Sequence, residues 1–528
     1  MRNAVTAATR EFRSPGSAFF LCLFFAVCFG CVAVTSILQD RFDLLAYASL
    51  AAVGLVVVLA ILKNWRNGLY LFLGWLLFED LVRKYLGNNM AIYFGKDLLA
   101  AMVYLSFYLA YRRKAMHTFR PPFFIPLFLF FWFAVIQVFN PAASSVAYGL
   151  LGLKLYFYYV PLLFVGYALV DSEKELRRFL FANLFVAAVI GGLGIAQAIL
   201  GHAFLNPEHT GADIDTLSHL YRVAPISGAV LYRPNSVFVS DGRFSYYMIL
   251  AWLLAFGVSG YLLLRLRRGR TAVSIALIAI SGGVVLSGSR GAFLWTLGSA
   301  LVCGAAFLWG APWRQGEALR VVRTLQRTLL AIGIAFVLLL VLYPEAIQSR
   351  LAFYSETLSL DSPSSELVFR VRDYPLRNFL MAFDYPRWPY GYGTGTASLG
   401  IQYITRILGV PPMGIGVENG YGALVIEMGI VGLILWIIMS AAVVAAAWNI
   451  VRKLKGSPWF PLGFVILWFV FLDMFPFVYT SMTTYQNYIM NAYLWLLLGV
   501  LFRLPHVAQS AQAATAVPSA RPRGRWSR

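Results

Sequence analysis

Long apolar runs, several of them about twenty residues without a break, are separated along this chain by short segments that carry Arg and Lys. A helix rising about 1.5 Å per residue crosses the ~30 Å hydrocarbon core of a bilayer in about twenty residues. Of the 528 residues, 60% are hydrophobic and 12% are charged, and mean hydropathy is +0.71. Soluble domains carry about 25% charged residues. A soluble globular enzyme is therefore excluded. Disorder is excluded too, except at residues 504–528, where Ala, Pro, Ser and Arg predict a basic, disordered, cytoplasmic tail.

Hydropathy predicts an all-α polytopic membrane bundle of about fourteen helices in a single membrane domain over residues 1–503. They are expected near 18–38, 43–62, 67–82, 90–110, 122–139, 147–170, 179–200, 244–264, 272–287, 291–310, 328–344, 420–450, 459–476 and 487–502. The run from Ala18 to Leu38 follows Arg2, Arg10 and Arg13, but it is long for a signal peptide and lacks a small-residue cleavage site, so it reads as a retained helix. With alternating spans, the segments on one side hold 28 Lys and Arg and the opposite segments 13. The positive-inside rule makes the richer side, and both termini, cytoplasmic. The net charge of +20 thus reports orientation, and no nucleic-acid partner is expected. Cys22, Cys28, Cys31 and Cys303 lie in apolar runs, as packing residues do.

Two outer segments, 201–243 and 345–418, are too long to be simple connectors. The second is expected to contain short helices, one of them an amphipathic stretch from Ser364 to Phe383 between spans eleven and twelve. Ionisable residues inside spans are costly and point to function. Glu79, Asp80, Lys96, Asp97, Lys154, Arg290, Glu418, Glu427 and Asp473 all fall toward the outer side. That pattern predicts a polar site facing outward; buried ion pairs and snorkelling side chains are the structural alternative. His202, His209 and His219, with Glu208, Asp213 and Asp215, show no metal-ligand spacing, and no metal or other cofactor is expected.

Three motifs stand out. Leu286-Ser-Gly-Ser-Arg-Gly-Ala-Phe-Leu294 is a polar turn between apolar runs, either a plain hairpin or an anion site built on Arg290. Tyr390-Gly-Tyr-Gly-Thr-Gly-Thr396 matches neither the P-loop nor the dinucleotide pattern, and reads equally as a tight covering loop or a ligand contact. Val417-Glu-Asn-Gly-Tyr-Gly-Ala-Leu-Val-Ile-Glu-Met-Gly-Ile-Val-Gly432 opens the long twelfth span, where Asn419 suits a helix cap and Glu418 a general base.

In order and spacing, these motifs resemble the O-antigen ligase and polymerase superfamily of bacterial membrane glycosyltransferases, over about residues 230–450. Ser289-Arg290-Gly291 corresponds to the family's Ser-Arg-Gly turn, Pro389 to Gly395 resembles the end of its large loop, and Arg233 is similar to an Arg of its preceding outer loop. Glu418-Asn419 falls where the family's ligases present His-Asn. That difference favours the polymerase branch over a ligase, with a lipid-linked-sugar transporter or flippase as a further alternative.

The resemblance implies an undecaprenyl-pyrophosphate-linked oligosaccharide as substrate, used at the periplasmic face of the inner membrane without a metal, with inversion at the sugar. A chain-length regulator protein would be a partner beside the lipid bilayer. The implied roles are pyrophosphate binding by Arg233 and Arg290, with Arg370 and Arg372 on the loop, and catalysis by Glu418, Asn419 and Arg290. Lys154, Trp388 and Tyr392 are further substrate contacts, with Tyr221, Tyr232, Tyr354 and Tyr390 as additional aromatic candidates for stacking on sugars.

Overall fold

The computed structural model describes residues 57–86, 90–113, 119–207, 220–312, 341–358, 373–475 and 483–516, apart from scattered positions within them, and a few isolated positions elsewhere. The spans expected at 18–38 and 328–344, and much of the one at 43–62, lie wholly or mostly outside the described residues.

The helices follow the apolar runs. They are α1 (Trp65–Tyr85), α2 (Met90–Arg112), α3 (Phe124–Val138), α4 (Val146–Phe157), α5 (Leu162–Leu169) and α6 (Glu173–Leu200), then α7 (Asp241–Arg265), α8 (Arg270–Leu286) and α9 (Arg290–Gly310). After them come α10 (Pro344–Leu358), α11 (Tyr374–Leu380), α12 (Ile401–Leu408), α13 (Gly420–Leu454), α14 (Phe460–Met474) and α15 (Tyr488–Ala516). The all-α expectation holds, with one addition between α6 and α7. There β1 (Tyr221–Val223) pairs antiparallel with β2 (Val230–Tyr232), Tyr221 facing Tyr232 and Arg222 facing Leu231.

Seven helical segments among the described residues are long and apolar enough to cross a membrane: Ile92–Arg112, Val146–Leu169, Glu173–Leu200, Asp241–Arg265, Arg290–Gly310, Gly420–Leu454 and Tyr488–Ala511. The chain is a multi-pass membrane protein on this basis, but seven falls short of the fourteen expected. Apolar helices α3, α8 and α14 have 15, 17 and 15 residues, about 22–26 Å at 1.5 Å per residue, less than the hydrocarbon core. Helix α1 has the length, but Arg66, Glu79, Asp80, Arg83 and Lys84 interrupt its apolar character. The span expected at 147–170 is present as Val146–Leu169, divided by turns at Tyr158–Pro161 into α4 and α5.

Another difference lies at the C-terminus. Helix α15 runs through Pro505 to Ala516, where a disordered tail was expected from residue 504. The segment after Pro505 is rich in Ala and Gln, both good helix formers, so it extends the helix already begun.

By contacts, the chain divides into two compact units, residues 1–75 with 94–116, and residues 76–93 with 117–528. In the first, Trp65 meets the Phe107 ring edge-on at 5.3 Å and Ser106 Oγ donates to Ile61 O at 2.7 Å. Lys96, expected near a polar cavity, is fully buried.

In the second unit, α7 packs on α6, α8, α9 and α14, α13 packs on α3 and α14, and α15 packs on α5 and α14. The α5–α15 contact depends on paired glycines: a Cβ on Gly166 would stand 2.1 Å from Leu496 O, and one on Gly499 would stand 2.1 Å from Leu163 O. Small residues of this kind let membrane helices meet backbone to backbone. Helix α6 starts where Ser172 Oγ accepts from Glu175 N at 3.3 Å, with Glu173 and Glu175 in the first turn, and stops at Gly201 at φ 90°. The connections on either side of α7 and α9 then hold the functional candidates.

Candidate anion site

Arg233 directly follows β2, and a buried polar network fixes its backbone. Gln197 Oε1 accepts from Asn235 N at 3.0 Å and Ser236 N at 2.7 Å, while Gln197 Nε2 donates to Asn235 Oδ1 at 3.0 Å. Lys84 Nζ donates to Ser236 O at 2.6 Å and to Asn235 Oδ1 at 3.1 Å. These bonds hold Ser236 at φ 51°, a left-handed conformation that a non-glycine residue keeps only when its surroundings impose it. The Arg233 side chain is buried and ion-pairs through Nη2 with Asp241, the first residue of α7. Its Nε has no hydrogen-bond partner among the described residues. Burial lowers the Arg233 guanidinium from its usual value and Asp241 opposes that shift; a guanidinium stays charged regardless.

The turn between α8 and α9 brings Arg290 to the same place. Gly288 sits at φ 63°, and a Cβ there would stand 2.6 Å from Leu231 Cδ2 and 3.1 Å from Arg233 Cγ. Only glycine permits both that conformation and that approach. The two serines serve the turn itself. Ser287 Oγ donates to Val284 O at 2.7 Å and accepts from Ser289 N at 3.2 Å, and Ser289 Oγ caps α9 by accepting from Ala292 N at 3.3 Å. Arg290 then opens α9 with its guanidinium 4.2 Å from the Phe353 ring centroid, a cation–π contact.

Helix α10 supplies a third cation that the sequence reading missed. Arg350 is buried, donating from Nη2 to Tyr232 O at 3.1 Å and from Nε to Leu286 O at 3.4 Å. It therefore ties the hairpin to the turn. The available signal was local: Phe353 and Tyr354 follow Arg350 at three and four residues, on one helical face. Both rings are buried with Ala224 and Leu231, and Tyr354 OH donates to Val285 O at 2.9 Å. Burial pushes the Tyr354 phenol up to about 12, while the Arg350, Arg233 and Arg290 guanidiniums pull it down. Three cations thus lie within electrostatic reach of one phenol. Arg222 adds a fourth guanidinium acting on Arg233, against the carboxylates of Asp241 and Glu356. The cluster carries excess positive charge on guanidiniums, whose planar fork suits phosphate oxygens, and it is the candidate anion site.

Glu356 closes the hairpin, its carboxylate accepting from Ile226 N at 2.9 Å and Ser227 N at 3.2 Å. Hydrogen bonds from Ser227 and Ile226 hold it below the ordinary Glu value, with Arg290 adding to the effect. A depressed carboxylate contributes stability above its unfolded pKa of about 4.3, and that contribution is lost as pH falls through the lower folded value. Protection of the Ile226 and Ser227 amides from hydrogen exchange should therefore drop on acidification below about pH 4. In Glu356→Gln the drop should vanish, with protection low throughout; unchanged protection in that variant would remove the carboxylate from this role.

The other expected residues fall elsewhere. Glu418 is exposed before α13, and the Tyr374 hydroxyl donates to it. Asn419 takes the cap reading: Oδ1 accepts from Gly422 N at 3.0 Å and Nδ2 donates to Pro375 O at 3.2 Å, so it joins α11 to α13. Lys154 lies 5.2 Å from the Tyr93 ring, whose centroid is also 5.1 Å from Arg83. Near them, Asp80 bridges Arg83 at 3.1 Å and Arg243 at 2.7 Å, the buried ion-pair alternative. Trp388 packs on Phe383 with centroids 5.1 Å apart, and Tyr392 meets Tyr385 at 6.4 Å. Arg370 and Arg372 lie outside the described residues.

The glycine loop at 390–396 is resolved in favour of packing. Helix α13 breaks at Gly429, φ 68° and ψ −172°, and the loop fills the break. Tyr392 N donates to Ile426 O at 2.8 Å, Gly393 N to Glu427 O at 2.9 Å, and Ile430 N returns a bond to Pro389 O at 3.3 Å. Backbone groups released by the break are thereby satisfied inside protein, as a membrane interior requires. Buried Glu427 locks the far end, accepting from Ser398 Oγ at 2.6 Å, Tyr156 OH at 2.9 Å and Ala397 N at 3.2 Å. Compared with known protein families and with curated proteins, the chain matches no family and no protein.

Proposed function

We propose that this chain is a bacterial inner-membrane polysaccharide polymerase, with about fourteen spans, that joins oligosaccharide repeats carried on undecaprenyl pyrophosphate at the periplasmic face. The observation that carries the reading is the gathering of Arg233, Arg290 and Arg350 where the hairpin, the α8–α9 turn and the buried Phe353–Tyr354 pair meet. In this reading the guanidiniums bind the pyrophosphate of the donor. An acceptor hydroxyl attacks the anomeric carbon from the opposite side, the C–O bond to phosphate breaks, and the lipid pyrophosphate leaves with the electron pair. The arginines stabilise the charge that grows on that leaving group. Glu418, exposed beside Tyr374, takes the hydroxyl proton, and Asn419 is a positioning residue that fixes the start of α13. One displacement inverts the sugar.

Purified protein given a synthetic lipid-linked repeat as sole substrate, in EDTA, should make a ladder of longer lipid-linked products. Transfer only after a core lipid or a protein acceptor is added would replace the polymerase reading with a ligase. No product under either condition would remove glycosyl transfer and leave the transporter reading.

A further inference from the structure

A small cavity between α7, α9, α14 and α15 holds a buried acid that the proposed transfer does not use. Asp473, next to last in α14, is 1% exposed, and neither carboxylate oxygen has a hydrogen-bond partner among the described residues. It faces a cavity of about 40 Å³ lined also by Tyr246, Trp295, Phe469, Ile249 and Met490. Burying a carboxyl with no partner costs several kcal/mol, whether the group is neutral or charged. The site therefore favours an occupant that completes it.

Size and chemistry narrow that occupant. An engineered apolar cavity of about 150 Å³ takes a benzene ring, so 40 Å³ admits no sugar ring and only a small group. Three of the lining side chains are aromatic, Tyr246 and Trp295 carrying a hydroxyl and an indole N–H, and Asp473 supplies the one carboxylate. Oxygen ligands for a metal ion are too few. An ammonium group satisfies both features: it pairs with the carboxylate and lies against ring faces whose quadrupoles attract cations. Tyr246 is five residues into α7 and Trp295 five residues into α9, about 7.5 Å from those helix ends, within reach of a headgroup at the membrane boundary.

We propose that the Asp473 cavity binds the ammonium group of an amine, either an aminolipid headgroup or a soluble amine. The full-length protein, reconstituted in phosphatidylglycerol vesicles, is treated with dicyclohexylcarbodiimide, which adds to carboxyl groups in apolar surroundings. Mass spectrometry of the peptide carrying Asp473 reads the adduct, and Asp473→Asn, which should carry none, verifies the site. The adduct should fall about tenfold at amine concentrations near ten times Kd. Protection when phosphatidylethanolamine replaces half the lipid identifies a headgroup; protection by dissolved ethanolamine or methylammonium alone identifies a soluble amine. Trp295→Leu should keep the adduct and weaken protection about fivefold, the loss of one cation–π contact. Equal labelling with and without every amine, or no labelling in phosphatidylglycerol alone, overturns the assignment.

Discussion

Arg290→Lys is expected to lower polymer formation about a hundredfold or more, the usual effect of removing one donor aimed at transition-state charge, while leaving thermal stability within a few degrees. The guanidinium contacts the Phe353 face at 4.2 Å, and a lysine ammonium retains part of that attraction but loses the planar fork that holds two phosphate oxygens at once. Arg233→Ala makes an instructive contrast. Its partner Asp241 is buried, so truncation strands a carboxylate and should cost about 3–5 kcal/mol of stability as well as activity. Parallel measurement of turnover and thermal unfolding in detergent separates the two. Near-normal turnover in Arg290→Lys removes Arg290 from the anion site; equal loss of stability in both variants makes the cluster a scaffold.

Much of this was legible in the chain, and the reasons differ by element. Helices such as α6, α7 and α13 follow long apolar runs, and Asn419 reads from sequence as a cap of the last; α6 begins at Glu173, six residues before the expected span, because its charged first turn under the Ser172 cap hides from hydropathy. Arg290 stands out because a guanidinium in a turn between apolar runs has few reasons to be there; Arg233 is picked out only by the resemblance to a family's outer-loop Arg. Arg350 does not stand out, because its aromatic neighbours at i+3 and i+4 mark a buried helical face without naming its partners, the carbonyls of Tyr232 and Leu286, one of them more than a hundred residues away. Glycine motifs were ambiguous for a physical reason: the same lack of a Cβ serves a phosphate cradle and a backbone crossing. Only the partners decide, and at 390–396 they are the carbonyls of a broken helix. Asp80 was likewise seen as an in-membrane acid, but its two arginines come from different helices. The division of α4 from α5 was hidden because hydropathy does not sense backbone turns.

The loop that fills the break in α13 also packs against α4, and that contact makes its own strong demand on sequence. Gly395 sits at φ 84°, and a Cβ there would stand 2.0 Å from Tyr148 O; across the contact, a Cβ on Gly152 would stand 2.6 Å from Gly395 N. Gly395→Ala therefore combines a left-handed conformation, about 1–2 kcal/mol, with overpacking against backbone that has no rotamer by which to yield, about 1–3 kcal/mol or more. The variant should lose most of its monodisperse yield in detergent and unfold well below the parent protein. Gly414→Ala is the matched control, since its φ is 62° but nothing lies within 4 Å; it should pay the conformational term alone. If the two variants unfold at the same temperature, the loop is not seated against α4. If Gly395→Ala fails and the small amount of folded protein recovered turns over normally per molecule, the glycines act through the fold and not by touching substrate, which is what the bonds from Tyr392 and Gly393 to α13 imply.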